Sequence, residues 1–110
     1  MKVVGAASLD VPLEPVAAEQ VVAGAPRAGS LGFWEQGGLE VGVWEHSVGV
    51  STDVEADETF VVLRGRARID VDGGQSVEVG PGDVVRLDAG ARTTWTVTEP
   101  LRKVYLLGAG

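Results

Sequence analysis

With 110 residues the chain has room for one domain around a single core, and not for two. Its 9 basic and 16 acidic residues leave a net charge of -7, which repels phosphate backbones and anionic lipid and so argues against nucleic acid as a partner. The count Cys 0 rules out disulfides and thiolate metal sites, and no apolar stretch approaches the roughly 20 residues that span a bilayer.

Gly 16 and Pro 5 punctuate an apolar fraction of 45% that is rich in valine, which favours short strands joined by turns. The opening Met-Lys-Val-Val-Gly-Ala-Ala is too short and too broken by glycine for the apolar core of a signal peptide, so a cytoplasmic protein is expected. Residues 1–30 are read as an arm. Pro12, Pro15 and Pro26 forbid a long helix there, and only residues 17–22 could make one or two helical turns. Such an arm either packs on the barrel expected from residues 31–110 or exchanges with a second subunit, covering a strand edge.

From Leu31 the pattern settles. Gly37-Gly38 mark a turn, after which Leu39, Val41, Val43 and Glu45 alternate with Glu40, Gly42 and Trp44. If the aliphatic set is inside, Glu45 points inward with it; a bulge would bring in Trp44 and His46 instead. The alternation leaves both open.

Residues 57–72 read D-E-T-F-V-V-L-R-G-R-A-R-I-D-V-D: an acid at Glu58, an apolar run, a bend at Gly65 and a second alternating strand. Asp72-Gly73-Gly74 suits a hairpin back through Val77 and Val79. Gly80-Pro81-Gly82-Asp83 is a turn, residues 84–87 are a short strand, and Asp88-Ala89-Gly90 stops it. Thr94, Thr96 and Thr98 are uniformly polar, so Thr93, Trp95 and Val97 should face the core. Glu99-Pro100 should break that strand before a last one at residues 101–107. About eight to ten short strands, with no helix to cover a sheet, must close on themselves as an all-β sandwich or barrel.

Glu58 with Gly65, then Pro81-Gly82-Asp83 with Val84-Val85-Arg86-Leu87 and Ala89-Gly90, resemble in order the two motifs of the cupins, small jelly-roll β-barrels. The ending from Thr93 to Tyr105 and the upstream Gly42-Val43-Trp44-Glu45 look more narrowly like the cupin branch containing the (S)-ureidoglycine aminohydrolase cupin domain. The likeness runs from about Glu14 to Leu107 and implies a homodimer. Cupins usually hold a metal on two histidines before the first-motif glutamate and a third in the second motif. Here those positions fall within residues 51–54 and on Thr93, and none is histidine. Glu58 and a neutral hydroxyl would hold a divalent ion only weakly, so no metal and no cofactor is expected.

If Glu58 faces inward it can act as a general acid or base, or anchor an amide or ammonium group; at a rim it would merely bond to backbone donors or an arginine. The Arg102-Lys103 pair recurs in the resembled branch, which implies that one of the two reaches the cavity; we take Lys103 as the catalytic partner of Glu58, with Tyr105 on its face. Trp44, Phe60, Thr93, Trp95, Arg102 and Tyr105 complete the expected ligand-binding set, although Trp44 and Trp95 also suit a filled core. His46, the single histidine, is read as solvent-facing or capping. Asp53, Glu55, Asp57 and Glu58 lack the spacing of known calcium loops. Three functions compete: a metal-independent module binding a small polar metabolite, an enzyme like the aminohydrolase with Glu58 as proton carrier, and a structural protein whose cavity is filled. The barrel does not choose among them.

Overall fold

The structure, a computed structural model, describes residues 1–108. Nine strands carry them: β1 (Glu14–Pro15), β2 (Val21–Ala23), β3 (Arg27–Gln36), β4 (Leu39–His46), β5 (Gly49–Val54), β6 (Glu58–Val71), β7 (Ser76–Val79), β8 (Val84–Leu87) and β9 (Arg92–Leu107). One 3-10 turn, Ala18–Gln20, joins β1 to β2. No helix among the described residues is long and apolar enough to cross a membrane.

The two long strands organise the rest. β6 and β9 pair antiparallel along most of their length, with the register slipping between Val62 and Ala67. On one side of the slip, β1, β3, β4, the second half of β9, the first half of β6 and β8 lie side by side. On the other side the order is β2, β5, the first half of β9, the second half of β6 and β7. Two curved antiparallel sheets therefore share two strands and close into the all-β barrel expected.

The shared bend has a local cause. Gly65 takes φ +90, and a Cβ there would run into the carbonyl of Pro100 on the paired strand. The glycine of one strand thus sits against the proline of the other, and the inward parity of β6 switches from Glu58, Phe60 and Val62 to Ala67 and Ile69. Glu99-Pro100 bends β9 without ending it, so the two strands expected there are one. The turns at 37–38, 72–74, 81–82 and 89–90 fall where the sequence places them.

The extent of the arm needs correction, and the choice left open in β4 is decided. Residues 14–30 are not an arm: they supply β1, β2 and the start of β3, paired to β3, β5 and β4 in turn. The arm shrinks to residues 1–13, held to the outside by Arg27 and Arg102, which donate to the carbonyls of Leu13, Ala6 and Leu9. In β4 the aliphatic set is the outer one. Its register with β9 is unbroken, and Glu40, Trp44 and His46 face the interior with no bulge in that pairing. Glu45 faces outward and takes Arg64 and Arg102 as ion partners.

The core fills one part of the barrel. Phe60, Val62, Ala67, Ile69, Val79, Leu87, Trp95, Val97, Leu101 and Tyr105 form one cluster, and Trp44 packs against it. Burial of this apolar surface, at about 25 cal/mol per Å², is the main source of stability. Above the cluster the barrel stays hollow.

Candidate functional site

The hollow is a cavity of about 580 Å³, open to solvent and lined from both sheets. The strand pairings explain its contents. Trp44 lies opposite Lys103, and Gly42 opposite Tyr105, on β4 and β9. A Cβ at Gly42 would run into the Tyr105 hydroxyl and the Leu31 carbonyl, so the missing side chain leaves room for the tyrosine tip. Glu58 enters from the start of β6, beside β9.

At the base, the Lys103 ammonium lies 2.7 Å from Glu58 Oε2, with side-chain exposures of 6% and 10%. Its Nζ is also 4.4 Å from the Trp44 ring centre, 4.3 Å from that of Phe60 and 4.7 Å from that of Trp95. Three ring faces and one carboxylate therefore surround a single cation, an arrangement whose cation–π attraction is strongest where water is excluded. Glu58 Oε2 nonetheless accepts no hydrogen bond of proper direction, since the ammonium approaches it off the favoured angle. We take the contact as an ion pair on its distance. The pair has little hydrogen-bonding support, and a buried pair needs such support to offset desolvation.

A second acid stands in the wall. Glu55, 8% exposed, accepts the Thr93 hydroxyl at 2.6 Å and the Trp95 indole N–H at 3.1 Å, both on Oε2. Asp53 lies near it, and partial desolvation of its carboxyl at the cavity, followed by the charge of Glu55, raises it above its ordinary 3.8 although the residue as a whole is exposed. Towards another part of the cavity, burial and the charge of Glu40 raise the Tyr105 phenol above its ordinary 10.0, while Ser30 partly opposes them.

His46 is buried at 1% exposure, not solvent-facing. Its Nδ1 contacts the Ser47 carbonyl at 2.6 Å and its Nε2 the Ser51 hydroxyl at 2.9 Å. A carbonyl only accepts, so Nδ1 carries the proton and Nε2 accepts from Ser51. Burial, with the charge of Lys103 adding to it, lowers the His46 pKa below its ordinary 6.5; the bond to Ser47 partly opposes this. The histidine is thus a neutral polar wall of the cavity.

Of the residues singled out from sequence, Glu58, Lys103, Trp44, Trp95 and Tyr105 line the cavity together. Phe60 lies beneath Lys103 and is fully buried, and Thr93 stands behind Glu55. Arg102 is placed elsewhere. It follows β9 to the outer face, where Nε bonds Glu45 at 2.7 Å and Nη1 donates to the carbonyls of Ala6 and Leu9. Neighbouring strand residues point to opposite sides, so only one of Arg102 and Lys103 could enter. Glu55 was missed as a wall residue, and His46, one of two alternatives for the inner face of β4, enters the wall without the bulge that alternative invoked. Thr93 and Trp95, both expected inside, bring two donors that need a buried acceptor, and that was the available signal for a nearby acid.

The residues do not fit the divalent metal that the cupin resemblance implies. Among the described residues no three histidine, cysteine or acidic side chains converge. Both ring nitrogens of the single histidine are engaged, and the carboxylate at the first-motif position already faces an ammonium.

The barrel and its hollow define a protein of the cupin class. More narrowly, the chain belongs to the EutQ-like cupin domain family, whose model matches residues 33–105. Among solved structures, the EutQ protein of Clostridium difficile superposes with a TM-score of 0.67 at 18% identity, over 76% of this chain. The match spans 63% of that EutQ chain. A DUF861 family protein from Thermotoga maritima is 32% identical with a TM-score of 0.56, covering 59% of this chain and 75% of that one. Ectoine synthase from P. lautus has a TM-score of 0.64 at 17% identity, over 86% of this chain and 67% of that one, which is a likeness of fold. Comparison with curated proteins returns no match.

Proposed function

We propose that this protein is a metal-independent binding module whose barrel cavity takes a small polar metabolite. One observation carries the reading: a cavity of about 580 Å³ opens onto a buried Glu58–Lys103 pair walled by aromatic rings, leaving space for a ligand beside oriented charge. Trp44 and Trp95 offer flat apolar surface, and Tyr105, His46 and Ser51 offer polar groups along the walls. A filled core would have left no such space.

A second reading, an enzyme of the aminohydrolase kind, is favoured by the same pair. Glu58 and Lys103 stand at ion-pair distance on the cavity floor, where a carboxylate can take a proton from a bound substrate and return it. The reaction class would be hydrolysis or isomerisation of a small nitrogen-containing acid.

Ligand-observed NMR against a panel of neutral, anionic and cationic polar metabolites tests the first reading. Saturable hits that quench tryptophan fluorescence, and that weaken in Glu58→Gln, are expected. Elemental analysis of protein purified without chelator should give no stoichiometric transition metal. A panel without a single saturable hit, or a metal at one per chain, overturns the reading. Turnover of a hit, lost in Glu58→Gln, would select the enzyme.

A further inference from the structure

We propose that the cavity takes its ligand by a cationic nitrogen, a primary ammonium or a guanidinium, seated on the unengaged oxygen of Glu55 with Asp53 beside it. This rests on the cavity being a binding site and adds the charge its occupant carries.

Glu55 is more than nine-tenths buried, yet no lysine, arginine or histidine among the described residues lies within ion-pair distance of it. Buried carboxylates are ordinarily paired or coordinate a cation. Both bonds it accepts fall on Oε2, so Oε1 has no partner from the described residues while the side chain lines the cavity. Two donors on one oxygen, one of them the Trp95 N–H that Thr93 Oγ1 shares at 3.0 Å, restrain the carboxylate. The acceptor is oriented before any ligand arrives, which reduces the ordering that binding must impose.

The rest of the wall has the same sign. Glu14, Glu40 and Asp53 line the cavity and form no ion pair among the described residues. The single lysine in the lining, Lys103, is already matched by Glu58, whose own Oε2 lacks a well-directed donor. The charge of Glu55 hinders ionisation of Asp53, and a cation between them would relieve it. An anionic ligand would meet one spoken-for ammonium and several unpaired carboxylates.

Calorimetric titration with n-butylammonium and agmatine, and with n-butanol and n-butyrate as uncharged and anionic counterparts, tests the charge rule. The two cations should bind saturably and butyrate about tenfold more weakly or not at all. Glu55→Gln keeps an oxygen for Thr93 and Trp95, and should weaken the cations about 10- to 100-fold while leaving butanol unchanged. Asp53→Asn, at an exposed position, should weaken them in the same direction and guards against a folding defect at Glu55. Equal affinity for butyrate and butylammonium, or cation binding indifferent to both variants, overturns the proposal. If neutral or anionic metabolites from the panel bind the cavity while cations do not, the charge rule falls and the binding module stands. If nothing binds, both fall.

Discussion

Arg102 and Lys103 are neighbours on β9, both at least 95% buried at 3% and 5% exposure, and they face opposite sides of one sheet. The outer cation is well bonded: its Nε reaches Glu45 and its Nη1 two arm carbonyls, and Arg64 shares the same carboxylate oxygen. The inner cation has one poorly directed carboxylate and three ring faces. Equal burial therefore hides two different roles. A planar fork bonded through Nε and Nη1 fastens the arm to the barrel, whereas a compact ammonium held by one carboxylate and three ring faces sets the charge of the cavity floor.

The contrast breaks most visibly at the inner pair. Lys103→Ala removes the only cation among the described residues within ion-pair distance of Glu58 and opens a hole among three rings. The expected loss is about 3–5 kcal/mol, or at least about 10 °C in Tm, by chemical and thermal denaturation followed through tryptophan fluorescence. The double variant Glu58→Leu with Lys103→Met should recover wild-type stability or exceed it by about 1–4 kcal/mol, because it removes both charges at similar volume. It should also lose ligand binding. A double variant as unstable as Lys103→Ala would show that the pair is a structural necessity and end its assignment to the site. Glu58→Gln leaves an ammonium behind, so a loss of stability in that variant does not mark the acid as merely structural.

Next in size is the outer cation. Arg102→Lys can keep Glu45 but cannot also serve Ala6 and Leu9, a loss of about 1–3 kcal/mol. Limited proteolysis should then cut within residues 1–13 sooner, with cavity binding unchanged. If arm protection is unaltered and binding drops instead, the division between the two faces of β9 is wrong.

The same two faces explain what could be read from sequence. The barrel was legible because turn residues recur at short spacing and Gly65 and Pro100 each mark a bend; only their coincidence, which lets β9 run through, needed coordinates. Thr93 and Trp95 were placed inside correctly, since three threonines mark the wet side of their strand. β4 was ambiguous for a physical reason. Alternation tells apart two faces but assumes that the apolar one is inside, and here Val43 is fully buried on the outer face while Glu40, Trp44 and His46 line a hollow. The resemblance implies only that one of Arg102 and Lys103 enters the cavity, and parity does not say which without the register with β4. Glu55 escaped because it lies between β5 and β6, where no period applies.

The smallest effect concerns His46, on the Lys103 side of the sheet. Its folded-state pKa lies below the ordinary 6.5, so between the two values the unfolded chain takes up a proton that the folded chain refuses. Stability that is complete above about pH 6.5 should therefore fall as pH drops towards the folded-state value, by at most about 1.4 kcal/mol per pH unit. Other shifted groups act lower. Burial alone would raise Glu45, but the bonds and charges of Arg64 and Arg102 together outweigh it and hold the carboxyl below its ordinary 4.5, so its contribution is lost only in more acid solution. Asp53, raised above 3.8, works with the opposite sign, gaining stability as it protonates. Urea titrations between pH 7.5 and about 5 should then show a slope that His46→Gln removes. Burial is the larger cause and Lys103 a lesser one, so the slope should shrink in part in the Glu58→Leu, Lys103→Met double variant and persist in Arg102→Lys. A slope that survives His46→Gln belongs to another group and would take the histidine out of the cavity's charge balance.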